Sequence, residues 1–537
     1  MATWNNSFIV AILLSCALPQ DAAVVSTTHG RVRGRSEKVL EKNVDVFLGI
    51  PYAKPPVGRL RFLKPQPIPP WDGVYDAASV KDSCMQPRVP FIFYIPTKLS
   101  EDCLYLNVWT PKASTKTKLP VLLWFHGGIF KLGSAYETRY NGAVLPALND
   151  VVVVSCNFRN GAFGFLDANN EASPGNMALW DQVLVMQWVQ KNIRAFGGDP
   201  ELVTVFGESS GSMDIHLHLI SPVGRGLFRR YFSMSGTETT NSNVESVFES
   251  IAKGNAVAAA LGCANSFQDL TNHPDKVIDC LRTRSAEEII DATENVTSPK
   301  VLGFLPTFNT EYVPYLPTIA AEKGLYRAVD ALVSVVANEG AFPFVMQPEA
   351  LARDDVSGYE YKEFVAALKE IIRNWLKPNV VPLGLAYLED SPSNTKVALR
   401  QRAADFVGKQ NFFCPTKIFS EGNSNRKGAV YGFVFAHRSQ KSKLPQWMHV
   451  VHMEDIPYFF GFPFLDNVNY TDEDRRLSTY AMDMLVSFAR DGKPAVPQGQ
   501  QWPSYSVQQP KFLWLQPGNY TLVDFYEGDE CTMWRKF

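Results

Sequence analysis

Residues 206–212 read FGESSGS, and within them Ser209 has a glycine two residues to either side, Gly207 and Gly211. The strand-like run ELVTV (201–205) precedes this cluster, and the helix-like segment SMDIHLHLI overlaps its end. A serine at a strand-to-helix turn is held on a sharp bend with its hydroxyl outward, and small neighbours let the surrounding backbone close around the strained residue. The helix start adds positive dipole where an oxyanion would develop. Ser210 and Ser212 lack the paired glycines, so Ser209 is the candidate nucleophile rather than part of a plain flexible turn. A lone serine is a weak nucleophile; it needs a base, an acid to orient that base, and oxyanion donors. The run VLLWF (121–125) ends in His126-Gly127-Gly128-Ile129-Phe130, a loop of the kind that supplies backbone N–H groups. The expected donors are Gly128, Ile129 and Ser210. His126 sits on that loop and reads as a structural hydrogen-bonding group, not as the base.

Positioning these residues falls to a set of near-continuous apolar runs: VLLWF, VVVVSC (151–156), LVTVF (202–206), ALVSVV (331–336) and VYGFVF (430–435). Such runs suit strands covered on both faces. Between the second and third lies MALWDQVLVMQWVQKNI, with Trp180, Leu184 and Trp188 at helical spacing. Strand, helix, strand in that order predicts parallel crossovers and an α/β class. No linker or composition break divides the 537 residues, so one domain is expected. With 46% hydrophobic residues the chain can bury a large core. Its 52 Lys plus Arg against 54 Asp plus Glu leave a net charge of -2 without a basic stripe, which argues against nucleic acid or anionic lipid as a partner.

The apolar run FIVAILLSCAL (8–18) has signal-peptide length, with small residues around Ala22 and Ala23. A leader over about residues 1–20 and a domain over 21–537 are expected, hence a secreted protein. Among eight cysteines, Cys16 would leave with the leader. Cys84/Cys103 and Cys263/Cys280 are near enough in sequence to close local loops, Cys414 and Cys531 are far apart, and Cys156 reads as a small buried hydrophobe. Asn295, Asn469 and Asn519 begin glycosylation sequons. The terminal CTMWRKF carries no lipid-anchor tail or retention signal. The sequence lacks H-E-x-x-H and C-x-x-C patterns, so neither a metal nor a cofactor is expected.

The chain resembles the type-B carboxylesterases of the cholinesterase group, which are α/β-hydrolases. The resemblance is carried by FLGIPYAKPPVGRLRF (47–62), SEDCLYLNVWTP (100–111), FRNGAFGF (158–165), QWVQKNIRAFGGDPELVTVFGESSG (187–211) and WMHVVHMEDIPYFFG (447–461). It implies a large, mixed, mostly parallel sheet flanked by helices. It also implies a Ser-His-Glu triad in which Glu339 of Asn338-Glu339-Gly340 is the acid and His452 the base, His452 being selected over His449 by register against Tyr458-Phe459-Phe460-Gly461. Glu208 and Ser235 become supporting groups near the triad. Arg61 with Glu101 and Arg159 with Asp181 correspond to buried ion pairs, and the disulfides become Cys84–Cys103, Cys263–Cys280 and Cys414–Cys531. Two departures concern glycines of the family pattern, replaced here by His449 and Met453. A third is Ile129, where the pattern has Gly or Ala; a β-branched residue there is expected at negative φ.

Within that group the resemblance implies a general carboxylesterase acting on small ester substrates, with cholinesterase as the alternative. The Cys84 to Cys103 loop contains no Trp to bind a choline ammonium, and KVLGFLP (300–306) lacks the paired aromatics of a restricted acyl pocket. Butyryl and longer acyl groups are therefore expected to fit, with Phe342 or Tyr94 as the aromatics able to replace the Trp. A neuroligin-like binding protein is the third reading, disfavoured because Ser209, Glu339 and His452 are all present. The oligomeric state is not legible.

Overall fold

The computed structural model describes residues 23–88, 96–114, 116–240, 244–296, 303–346, 349–426, 428–496, 501–525 and 531. The leader segment, Tyr94 and residues 300–302 lie outside them. Eleven strands form one sheet. In chain order these are β1 (Arg35–Val39), β2 (Lys42–Pro51), β3 (Tyr105–Thr110), β4 (Leu119–Phe125), β5 (Val152–Cys156) and β6 (Gly198–Glu208). The remainder are β7 (Arg230–Met234), β8 (Asp330–Val336), β9 (Val430–Phe435), β10 (Lys511–Gln516) and β11 (Asn519–Asp524). Across the sheet the order is β11-β10-β9-β8-β7-β6-β4-β5-β3-β2-β1. The stretch from β10 to β5 is parallel throughout, and antiparallel strands flank it on both sides.

The apolar runs are central strands for a simple geometric reason. Side chains alternate across a strand. Along β4, Val121, Leu123 and Phe125 enter one core cluster while Leu122 and Trp124 enter another on the opposite face. Each buried side chain of this kind contributes about 1.5–3 kcal/mol over an exposed one. Helices α1 (Met177–Asn192), α2 (Ser210–Ile220), α3 (Tyr361–Trp375), α4 (Lys396–Gly408), α5 (Cys414–Ser424) and α6 (Asp472–Asp491) pack around the sheet. Between α4 and α5 one turn, Lys409–Phe413, is a π-helix. In α1 the expected stripe is only partly the buried one. Trp188 is buried, but Trp180 and Leu184 are half-buried while Asp181 to Val183 lie inside. The reason is Asp181, whose carboxylate must reach Arg159 (2.7 Å).

All three cysteine pairs implied by the resemblance are bridged, and Cys156 is free and buried. Arg61 binds Glu101 through two hydrogen bonds, of 2.6 and 2.5 Å. Among the described residues no helix is long and apolar enough to cross a membrane. Asn295, Asn469 and Asn519 are exposed.

Candidate functional site

Strand β6 ends at Glu208, α2 begins at Ser210, and Ser209 between them has φ 55 and ψ -125. A non-glycine residue there is strained by about 1–3 kcal/mol. The surroundings hold it: Ser209 N–H donates to Met234 O (2.9 Å) and Ser209 O accepts from Met213 N–H (2.9 Å). A Cβ at Gly211 would fall 2.2 Å from Phe125 O, and one at Gly207 would fall 2.8 Å from the Gly211 backbone. Glycine flanks the serine because β4 and the turn itself occupy that space.

Asn338-Glu339-Gly340 follows β8 directly. Glu339 Oε1 accepts from Val336 N–H (2.8 Å) and from Ser235 Oγ (2.6 Å), while Oε2 meets His452 Nδ1 at 2.6 Å. A Cβ at Gly340 would lie 1.7 Å from Ala404 O on α4, so this position has no room for any other residue. The other ring nitrogen, His452 Nε2, lies 2.9 Å from Glu208 Oε1. No hydrogen bond joins it to Ser209 Oγ, although Ser209 and His452 line one cavity. Burial opposes the imidazolium, but Glu208 and then Glu339 more than offset this, and the His452 pKa rises to about 10. Burial also raises Glu208, against the pull of His452. The fully buried Asp455 carboxylate, whose oxygens have no hydrogen-bond partner among the described residues, is pushed well up by burial and then by the Glu208 and Glu339 charges.

The cavity is ≈ 30 Å³ and is lined by Ile129, Phe130, Ser209, Ser210, Met213, Phe342, Trp375, Asn411, Phe412 and His452. Two of the three expected oxyanion donors, Ile129 and Ser210, are on its wall. Gly128 is in the adjacent turn, its carbonyl accepting from Lys131 and Leu132. The expectation of negative φ at Ile129 is overturned: it has φ 54, and Phe130 has φ 59. The tight turn closed by Gly128 O imposes that conformation whichever residue occupies it. His449 (φ 50) and Met453 (φ 78) are in the same position, which gives a physical reason for glycine in the family pattern. His126 is buried and stacked on Phe158 (4.2 Å), and burial lowers its pKa to about 4. It is therefore neutral, as suits a structural group.

Sequence reasoning missed Trp375, Asn411 and Phe412. Trp375 ends α3, and the other two belong to the π-helix, so none adjoins a recognisable motif. A larger cleft, ≈ 600 Å³, opens beside Asn338, His449 and Trp514, but Ser209 is not on its wall. Ser209, Ser210 and His452 all line the smaller cavity.

The strand order, the serine elbow after β6 and the carboxylate–imidazole pair after β8 and β9 are those of an α/β-hydrolase. The profile of the Carboxylesterase family matches residues 21–534, and the chain belongs to that family. It is a carboxylic ester hydrolase. Similar proteins include an acetylcholinesterase of Bungarus fasciatus, 34% identical over 96% of this chain and 86% of the relative. An acetylcholinesterase of Leptinotarsa decemlineata is likewise 34% identical, over 96% and 86%. A cholinesterase of Mus musculus is 33% identical over 99% of this chain and 90% of the relative.

Proposed function

We propose that the chain is a secreted serine carboxylesterase working through an acyl-enzyme, with Ser209 as nucleophile, His452 as base and Glu339 as orienting acid. The observation that carries this reading is the 2.6 Å Glu339–His452 hydrogen bond on one side of the ring, with Ser209 and the base on a shared cavity wall. His452 Nε2 takes the Ser209 Oγ proton as Oγ attacks the ester carbon. The N–H groups of Gly128, Ile129 and Ser210 face the developing oxyanion. His452 then returns the proton to the leaving alcohol, and water repeats the sequence to release the acid. Before the first step Nε2 must turn from Glu208 to Ser209, a tightening common on substrate binding. Ser209→Ala should lose at least about 10³-fold in kcat and all labelling by organophosphates. Labelling that persists, or that maps to Ser210 by mass spectrometry, would overturn the assignment.

For the substrate, the lack of Trp in the Cys84 to Cys103 loop supports uncharged esters over choline esters. A cation–π partner is worth about 2 kcal/mol when desolvated, roughly thirtyfold in kcat/KM. Phe130, Phe342, Trp375 and Phe412 make the cavity wall aromatic, and the acyl segment still supports butyryl and longer groups. Cholinesterase activity is the second reading, favoured by the names of the relatives and by Phe342, Trp375 and Phe412 in the cavity. Acetylthiocholine against an uncharged acetyl thioester separates the two, and the uncharged substrate should win. A clear preference for the charged one would make the chain a cholinesterase.

A further inference from the structure

A serine, a histidine and a glutamate meet a second time in the molecule. His216 Nδ1 lies 2.6 Å from Glu238 Oε2, and His216 Nε2 lies 3.0 Å from Ser233 Oγ. These three residues and the neighbouring Ser212 are at most 2% exposed, and none of them lines the cavity at Ser209. No ester reaches them, so they are not a second catalytic centre. Their place in the fold gives them a different task.

His216 stands on α2, the helix that starts at the elbow, with Ser212 four residues before it on the same face. That face meets the segment 233–238, which leaves the end of β7. Ser212 Oγ and Ser233 Oγ lie 2.7 Å apart, and both are within hydrogen-bond reach of Gly236 O, at 2.7 and 2.6 Å. Ser233 and Glu238 are the two ends of this segment, and the imidazole joins them. The ring is itself wedged edge-to-face against Tyr231 on β7 (5.5 Å) and Phe419 on α5 (4.6 Å). Between its ends the segment carries contacts of the proposed triad. Met234 O accepts from Ser209 N–H (2.9 Å), and Ser235 Oγ donates to Glu339 Oε1 (2.6 Å). A Cβ on Gly236 would fall 2.5 Å from Ser209 O, so the segment also presses on the elbow. Ser235 has φ 52, a conformation that a non-glycine residue keeps only where its surroundings enforce it.

We infer that His216 and Glu238 are positioning residues for the reaction: with Ser233 they bind the two ends of the segment 233–238 and so fix the nucleophile relative to the acid that orients its base. The inference rests on the esterase reading and adds these residues to it. Reacting groups tolerate little error, and a misplacement of about 1 Å caused far from the chemistry can cost about 10²-fold. Loss of the chain of bonds acts on the chemical step. Ester binding is spared, because none of these residues is on the cavity wall.

Single-turnover hydrolysis of p-nitrophenyl acetate, with enzyme in excess, separates the acylation rate constant from the dissociation constant of the ester. It is measured on the full chain well below each variant's thermal midpoint, with sites counted by organophosphate label at completion. Ser233→Ala, His216→Leu and Glu238→Leu should each slow acylation at least about tenfold and leave the dissociation constant within about twofold. Because the residues act in one chain, Ser233→Ala combined with His216→Leu should slow acylation no further than the slower single variant. Ser233→Ala removes a single oxygen from a small side chain, so it decides the matter where the two leucine variants fail to fold. Wild-type acylation in folded Ser233→Ala, weaker ester binding in place of slower acylation, or losses that multiply in the double variant would overturn the inference. A wild-type protein that neither releases p-nitrophenol nor takes the label would overturn the esterase reading, and this one with it.

Discussion

At the scale of single residues, the environment of His452 is the departure with the most consequence. From the sequence alone, a catalytic histidine is expected to lose its proton near pH 6 to 7. The structure instead encloses this one between two carboxylates, and against the cost of burial Glu208 and Glu339 raise its pKa to about 10. Only the neutral ring can accept the Ser209 proton, so activity should fall as pH drops through that raised value. The acid limb of kcat/KM is therefore expected above pH 7, and Glu208→Gln should move it down by at least about one unit. A limb at pH 6 to 7 that ignores the Glu208 substitution would sink this account. Stability runs the other way. Because the folded value lies above the ordinary 6.5, the ion pairs support the fold fully below pH 6.5, and that support is lost as pH rises through about 10. On this account activity should be greatest where this contribution is weakest.

Elements differ in how far the sequence exposed them. The five apolar runs are strands because each is buried on both faces, and a period of two with both faces apolar leaves an unbroken run. The flanking strands β1, β2 and β11 mix exposed with buried positions and left no comparable signal. Ser209 was legible because glycine marks where backbones touch; Glu339 came only through the resemblance, although Gly340 beside it likewise has no room for a Cβ against α4. The π-helix was invisible: KQNFF reads as more helix, and nothing in residue type announces the extra residue per turn. Backbone strain was legible only as an anomaly, His449 and Met453 standing where the resembled family pattern has glycine. His449 tests its meaning cleanly, since it is exposed, has φ 50, and bonds through its backbone, the N–H donating to Gln446 O (3.2 Å) and the carbonyl accepting from Arg438 (2.7 Å). His449→Gly should raise the thermal midpoint, by about 1 kcal/mol of stability, and leave turnover intact. An unchanged or lower midpoint would show that the loop carries no strain there. Loss of turnover would mean the base has been misassigned.

For the whole molecule, the Cys414–Cys531 bridge spans 117 residues and begins at the residue after the π-helix. In the chain-entropy account, removing a bridge of that span costs about 5 kcal/mol. Cys414→Ser with Cys531→Ser should therefore lower the thermal midpoint. It should also weaken kcat/KM at temperatures where the fold survives, because Asn411 and Phe412 lose their anchor. Equal activity in the intact and bridge-free proteins below the transition would detach the bridge from the site. A second long span has a consequence for biosynthesis. The Glu339–His452 hydrogen bond joins residues 113 apart, and at translation rates of about 5–20 residues per second the base follows its acid off the ribosome by roughly 6–23 s. For that interval Ser209 and Glu339 have been made while His452, the base proposed for them, has not. On the proposed triad the growing polypeptide should therefore stay catalytically silent until His452 has been added.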